Sequence, residues 1–404
     1  MSYNVKIMRD LTNSENGCII NLHIIIILEG KMKYRDFGKT GEKISQLGFG
    51  CMRLPEIEKD GKWYIDEDKA IPMLHRGYEL GINYFDTAVG YCHENSQRAV
   101  GKAIKPFRDK ILLSTKLPLW GDFKTSDFMR ILNQSLERLD TPYIDFYHFH
   151  GINKGAFDGK ITECGLMKEA QKAIDEGLIR HISFSFHDSA ENMKYIIDRG
   201  EIFSSVLFQY NLLDRSNEKA MEYAHEKGLG TVIMGPVAGG RLAAPSGLSE
   251  RLLGTKNEAT PELAMRFVLG NPNVSCALSG MTNMEMVEQN AKMGDLEEPM
   301  TEADWNKAIV MMDELKKFSD LYCTGCEYCM PCPQGINIPY VFNCYTYHNV
   351  YGMTKLAKDM YTRVGDDRHG SKVSECINCG ACMEKCPQHI EIPEKLQLAD
   401  EALA

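Results

Sequence analysis

The sequence predicts an α/β fold: a (β/α)8 barrel followed by a small, mainly helical, cysteine-rich domain. Two observations carry this. From Tyr34 to about Phe318, short apolar runs alternate with amphipathic segments, the pattern of a parallel barrel of roughly 250 residues. After that, cysteines crowd into two short runs between Cys323 and Cys386.

The strand-like runs are "QLGFG" (Gln46–Gly50), "NYFDT" (Asn83–Thr87), "ILLST" (Ile111–Thr115), "YIDFYHFH" (Tyr143–His150), "HISFS" (His181–Ser185), "SVLFQY" (Ser205–Tyr210), "GTVIM" (Gly230–Met234) and "SCALS" (Ser275–Ser279). Between them lie amphipathic segments such as Asp66–Leu80, Ser126–Leu139, Met167–Glu176, Ala190–Asp198, Ser216–Lys227 and Pro261–Leu269, with the spacing of helices that bury one face. The competing architecture is an open doubly wound sheet, which carries a glycine-rich phosphate loop after its first strand. "LGFGCMRLP" lacks the G-x-G-x-x-G spacing, so the barrel is favoured.

The cysteine runs read "CTGCEYCMPCP" (Cys323–Pro333) and "CINCGACMEKCP" (Cys376–Pro387). The second is C-x2-C-x2-C-x3-C-P, the run that holds cubane clusters in bacterial ferredoxins. The first is one residue shorter before its fourth thiol. In two-cluster ferredoxins the fourth cysteine of each run ligates the other cluster. By that rule Cys323, Cys326, Cys329 and Cys386 hold one 4Fe–4S cluster, and Cys332, Cys376, Cys379 and Cys382 hold the other. The repeat continues downstream, "CPQGINIP" against "CPQHIEIP", as duplicated half-sites would. Zinc sites favour paired C-x2-C motifs with a longer spacer, and disulfides need an oxidising compartment. Cys18, Cys51, Cys92, Cys164, Cys276 and Cys344 stand alone and read as small buried hydrophobes. The segment Tyr340–Val364 between the runs has helical length and spacing and no hairpin turn.

Composition bounds the partners. The 404 residues carry a formal net charge of −10 and 44% apolar residues. No cluster of Lys or Arg suggests nucleic acid or an anionic membrane as partner. Fourteen cysteines, eight of them in cluster spacing, imply a reducing cytoplasm. The apolar stretch "CIINLHIIIIL" (Cys18–Leu28) is too short to span a bilayer, and no small-residue cleavage site follows it. Residues 1–31 read as a non-native or disordered extension, with a natural opening at Met32. The expected domains are therefore 32–318 for the barrel and 319–404 for the cluster domain.

In such barrels the chemistry sits at the C-terminal ends of the strands. Those ends present Asp86, Tyr91 just beyond its strand, Lys116 and His150. With "FDTAVGY", "STK", "YIDFYHFH" and "GPVAGGRL" in that order, the chain from Tyr34 onward resembles the aldo-keto reductases, and specifically their branch with a C-terminal ferredoxin-like domain. The resemblance implies a catalytic tetrad of Asp86, Tyr91, Lys116 and His150. The residue types suit carbonyl reduction: hydride delivery leaves charge on oxygen, which needs a proton donor. Lys116 beside Tyr91 is expected to lower the phenol's pKa. Asp86 would hold the lysine charged, and His150 would hydrogen-bond the substrate oxygen. Singly, Asp86 reads as a helix cap and His150 as a satisfied interior histidine.

Departures from the family pattern bear on the cofactor, NADH or NADPH. Relatives clamp the nicotinamide with a Ser-Asn pair and a Gln. Here Ser185 is kept, Phe186 stands in the Asn place and Leu207 in the Gln place, with Gln209 two residues on and Tyr210 beside it as a stacking or core ring. In the adenosine segment "LSGMTNMEMVEQN", Gly280 and Met286 stand where NADPH-preferring relatives carry cations, so NADPH is not expected to be strongly preferred. Gly280, Asn283, Gln289 and Asn290 are the expected contacts there. His148 lies two residues before His150 and shares its side of the strand. It reads as a proton-relay or structural histidine.

The expected function is that of an oxidoreductase acting on a small carbonyl or alcohol, with the clusters relaying electrons to or from a ferredoxin-like or flavin carrier. Nicotinamide passes two electrons and a cluster one; a flavin or a radical-tolerant substrate would resolve that mismatch, and the sequence shows neither. The alternatives are a conventional reductase merely braced by its clusters, and a cluster-bearing redox sensor on a degenerate barrel.

Overall fold

The computed structural model describes residues 8–9, 22–23, 32–119, 121, 123–238, 242, 260–295, 300–317, 323, 329–386 and 390–404. Apart from a short antiparallel pairing of Met8–Arg9 with Leu22–His23, the N-terminal extension lies outside the described residues. The described chain divides into two compact units, one within 1–209, 217–234 and 273–297, the other within 210–216, 235–272 and 298–404.

The first unit contains the barrel. Its strands are β1 (Leu47–Gly50), β2 (Tyr84–Asp86), β3 (Leu112–Leu117), β4 (Ile144–Ile152), β5 (Ile179–Phe186), β6 (Phe203–Gln209), β7 (Gly230–Met234) and β8 (Cys276–Gly280). Each pairs in parallel with the next, and β8 closes on β1. All eight expected strands form. The helices follow the expected amphipathic segments. Asp127–Leu139 buries Phe128, Leu132, Leu136 and Leu139 on one stripe and stops where Asp140 turns left-handed. Ala190–Arg199 is capped by Ser189, whose hydroxyl accepts from the Asn192 amide, and buries Met193, Ile196 and Ile197.

Two hairpins went unforeseen. Tyr34–Asp36 pairs with Lys43–Ser45 and drives Phe37 and Ile44 into a core with Tyr84, Leu112, Phe146, Leu207, Val232 and Cys276. The fit is close: a Cβ on Gly230 would stand 2.2 Å from the Phe37 ring. Glu56–Lys59 pairs with Lys62–Ile65 around Asp60 and Gly61, both at positive φ. "EKDGKW" did carry a signal for it, since Asp-Gly is the preferred two-residue hairpin turn.

Side-chain alternation then builds the interior upward. Toward the C-terminal mouth, β3 offers Leu112, Ser114 and Lys116, β4 offers Phe146, His148 and His150, and β2 offers Tyr84 and Asp86. The core changes from apolar to polar over two residues per strand.

In the second unit, Tyr210, Phe267 and Trp305 form a continuous ring stack with centroids 5.7 and 5.5 Å apart. The cluster region is helical, as expected. Ile338–Asn349 and Thr354–Tyr361 occupy the segment between the cysteine runs and are separated at Gly352, whose φ is +67°. The sequence repeat is also structural: Pro339 and Pro393 each sit in the first turn of a helix, Ile338–Asn349 and Ile392–Leu403. Among the described residues no helix is long and apolar enough to cross a membrane.

Candidate active site and cluster ligands

Asp86 ends β2 and Lys116 lies near the end of β3, one strand over. Both are almost fully buried, and Lys116 Nζ stands 2.6 Å from Asp86 Oδ2. The ammonium also donates to the Thr87 carbonyl at 2.8 Å, and Ser114 donates to Asp86 Oδ1 at 2.8 Å. Both carboxylate oxygens are thus engaged, as a buried charge requires. Burial pulls the Lys116 pKa down, but Asp86 and then Tyr91 outweigh it and raise the pKa above the ordinary value.

Tyr91 lies in the loop after β2, with the Lys116 ammonium 4.6 Å from its ring centroid. Its ring meets that of His150 edge-on, 6.1 Å between centroids. The four expected residues therefore converge at one mouth of the barrel. Burial raises the Tyr91 pKa and outweighs the expected lowering by Lys116. Lys116 does favour the phenolate, but burial and Asp86 oppose it, and the phenol ends above its ordinary value. At neutral pH Tyr91 carries its proton.

His150 is pushed down to about 3 by burial, then by Lys116 and His187. It is a neutral imidazole, suited to hydrogen bonding rather than to carrying charge. His148 pairs in register with Lys116, is fully buried, and is likewise pushed down to about 3. Its Nε2 lies 3.4 Å from the Tyr84 hydroxyl, so polar groups occupy a layer that barrels usually fill with aliphatic side chains. Sequence reading missed Ser114, although the alternation Leu112, Ser114, Lys116 points it inward beside Asp86.

The nucleotide candidates are more scattered. Ser185 is buried and its hydroxyl accepts from the Gly151 amide at 2.6 Å. Phe186 and Leu207 are buried apolar residues, so neither offers a polar group. Gln209 ends β6 exposed. Tyr210 is fully buried, stacks on Phe267 and accepts from Asn271 at 3.2 Å, which leaves its ring enclosed. Gly280 ends β8 in the open. Asn283 caps helix Met284–Met293 through the Met286 amide, Gln289 donates to Glu285, and Asn290 donates to Ser279. The segment contains no cation before Lys292, but the structure brings one from elsewhere. A Cβ on Gly280 would lie 3.8 Å from Arg53 Cδ, because Gly50 and Gly280 are register partners and Arg53 follows β1 closely.

In the cluster region, Cys332, Cys376, Cys379 and Cys382 line one cavity with Ile336, Ile338, Pro393 and Leu396. This is the expected crossed set. Burial, and with it the adjoining thiols of Cys332, Cys376 and Cys379, raises the Cys382 pKa. Four thiols around one cavity are the donor set of a cluster, each binding as its thiolate once the iron displaces its proton. Among the described residues no His, Cys, Asp or Glu cluster is drawn together tightly enough for a single metal ion. A cubane asks for less convergence, because each thiolate binds its own iron. Of the other set, Cys323 is exposed, and Cys329 and Cys386 are half-buried; Cys326 lies outside the described residues.

A family model of the aldo/keto reductases matches residues 46–309. The chain belongs to that family. A second model, of 4Fe-4S dicluster domains, matches residues 322–391. Similar solved structures include an aldo-keto reductase of Bacillus halodurans in its holo form, at 29% identity and a TM-score of 0.60 over 69% of this chain and 96% of that one. Similar proteins include L-galactose dehydrogenase of Arabidopsis thaliana, 28% identical over 64% of this chain and 87% of its own. An uncharacterised oxidoreductase of Schizosaccharomyces pombe is 29% identical over 64% and 85%. The protein is thus an oxidoreductase of the aldo/keto reductase family that carries a 4Fe-4S dicluster domain.

Proposed function

We propose that the barrel interconverts a small carbonyl compound and its alcohol, and that two 4Fe–4S clusters in the C-terminal domain relay single electrons to or from a soluble carrier, with a flavin of that carrier or a radical-tolerant substrate converting between one- and two-electron steps. The observation that carries the barrel half is the buried Asp86–Lys116 pair beneath the Tyr91 ring, with neutral His150 beside it. In this reading the substrate oxygen sits between the Tyr91 hydroxyl and the His150 imidazole. A bound nicotinamide dinucleotide supplies or accepts the hydride. As charge grows on the substrate oxygen, Tyr91 gives up its proton, and the ammonium of Lys116 stabilises the phenolate left behind. Asp86 and Ser114 keep that ammonium charged and aimed.

Ser185, Gln209, Tyr210, Gly280, Asn283, Gln289 and Asn290 are the proposed dinucleotide contacts, with the cation Arg53 beside Gly280. The proposed cluster ligands are Cys323, Cys326, Cys329 and Cys386 for one cluster and Cys332, Cys376, Cys379 and Cys382 for the other, in a domain running from about 319 to 404 behind a barrel of 32–318. A cytoplasmic setting follows from the need to keep such thiolates reduced.

The test is anaerobic purification with iron, sulfide and bound-nucleotide analysis. Reduction of 4-nitrobenzaldehyde is then measured with NADH, with NADPH and with reduced methyl viologen. Turnover with a dinucleotide or with the viologen supports the reading. Loaded clusters that take electrons in a protein with no turnover under any donor would favour a redox sensor on an inactive barrel.

A further inference from the structure

The loop that carries Tyr91 has an unusual backbone. Cys92, His93 and Glu94 follow it with φ of 50°, 50° and 65°. L-residues avoid this left-handed region, and a run of three without glycine is costly and persists only where the surroundings impose it. Each of the three is held. Cys92 Sγ lies 3.4 Å from the Met52 carbonyl. His93 Nδ1 meets Glu56 Oε1 at 2.8 Å, and its ring stacks on Trp63 with centroids 5.6 Å apart and planes 15° apart. Glu94 pairs with Arg138 at 3.4 Å. Asn95, next in line, donates to the Trp63 carbonyl at 2.9 Å.

Three of these contacts come from one element, the hairpin Glu56–Lys59/Lys62–Ile65. It has its own tight two-residue turn and is inserted between β1 and the helix Glu67–Glu79. Nothing in the barrel's closure requires it. Its inner side reaches the strained run, and the Trp63 and Tyr64 side chains remain partly exposed.

We propose that this hairpin is a clamp, and that Glu56, Trp63 and His93 are positioning residues that fix the Tyr91 hydroxyl over Lys116 by holding the left-handed run behind it. The proposal rests on the reading of Tyr91 as proton donor. Without the clamp, residues 92–94 relax toward ordinary backbone angles, and Tyr91, joined directly to them, swings from its place. The geometry for proton transfer is lost while substrate and dinucleotide still bind, so the effect falls on kcat.

The experiment compares Glu56→Ala, Glu56→Gln and Tyr91→Phe, singly and as Glu56→Ala/Tyr91→Phe, in the full cluster-loaded chain. Two readouts are taken: kcat and KM for 4-nitrobenzaldehyde, and the 19F resonance of Tyr91 in 3-fluorotyrosine-labelled protein, assigned by its loss in Tyr91→Phe. The expected result is a kcat about tenfold or more lower in Glu56→Ala with KM and thermal midpoint little changed. Glu56→Gln, which still accepts from the imidazole, should be close to wild type, and Glu56→Ala should have no further effect once Tyr91 is Phe. The Tyr91 resonance should shift or broaden in Glu56→Ala and recover in Glu56→Gln, whether or not the aldehyde is turned over. An unmoved resonance in Glu56→Ala, or an unchanged kcat beside an inactive Tyr91→Phe, overturns the clamp and leaves the donor assignment standing. A fully active Tyr91→Phe removes the donor assignment itself, and the clamp's role with it.

Discussion

The Lys116 ammonium lies 4.6 Å from the centroid of the Tyr91 ring and 2.6 Å from the carboxylate of Asp86. The lysine thus stands between a phenol and a carboxylate, all in a low-dielectric interior. Its charge is secured by Asp86, and its effect on Tyr91 is to offset part of what burial imposes. Removing either partner has a different and measurable consequence.

Asp86→Asn leaves Lys116 buried without its counter-charge. Breaking a buried pair from one side costs about 3–5 kcal/mol, so the thermal midpoint should fall by several degrees and catalysis with it. Calorimetry of the cluster-loaded protein checks the first, and an unchanged midpoint would mean that the pair is hydrated.

Lys116→Met takes away the one nearby group that lowers the Tyr91 pKa, so that pKa rises further. Alcohol oxidation, which needs the phenolate as base, should then lose its rate near neutrality and move its pH profile to more alkaline values. A profile shifted to lower pH would contradict the assignment.

His148 is held down to about 3 by burial, against about 6.5 when unfolded. Between those values the unfolded chain binds the extra proton, so the contribution to stability is complete above about pH 6.5 and is lost as the pH falls toward 3. The slope for one group is about 1.4 kcal/mol per pH unit. Denaturant unfolding of the wild type and of His148→Asn across pH 4–7 should differ in slope by roughly one proton.

The proposed crossed ligand set makes a specific demand. Cys332→Ser should remove or weaken the cluster held by Cys376, Cys379 and Cys382, although Cys332 belongs to the other sequence run. Iron should fall from about eight toward about four per chain. Loss confined to the cluster of Cys323 and Cys329 would show that the fourth ligands are not exchanged.

Arg53 alters one expectation about the dinucleotide. Read along the chain, residues 278–290 hold no cation, so NADPH is expected to bind within about tenfold of NADH, ~1.4 kcal/mol. Read in space, Arg53 stands beside Gly280. Arg53→Met should therefore weaken whichever dinucleotide binds, as titration calorimetry would show, and an unchanged affinity would place the phosphates elsewhere.

Much of this was legible in the sequence because period-two alternation and strand length are local signals. β3 and β4 were legible to within two residues at each end. The cysteine spacing proposes the crossed sets, and the four members of one of them, Cys332, Cys376, Cys379 and Cys382, line a single cavity. What escaped depended on pairing across distance. Ser114 gains its meaning only from Asp86 one strand away, Arg53 only from the β1–β8 closure. The Tyr91 shift depended on how completely Tyr91, Lys116 and Asp86 are enclosed together. The hairpin of Glu56–Lys59 and Lys62–Ile65 did announce itself through Asp60-Gly61, but its strands are short and lack alternating apolar positions.

The central claim is that Tyr91 donates the proton in carbonyl reduction at the barrel mouth. Phenylalanine keeps the ring and its packing and deletes only the hydroxyl. Anaerobic turnover of 4-nitrobenzaldehyde by cluster-loaded Tyr91→Phe should fall by about 10²–10⁴-fold, with iron content, thermal midpoint and dinucleotide affinity close to wild type. Wild-type turnover in a well-folded, fully loaded Tyr91→Phe variant would contradict the account and leave the barrel without its donor.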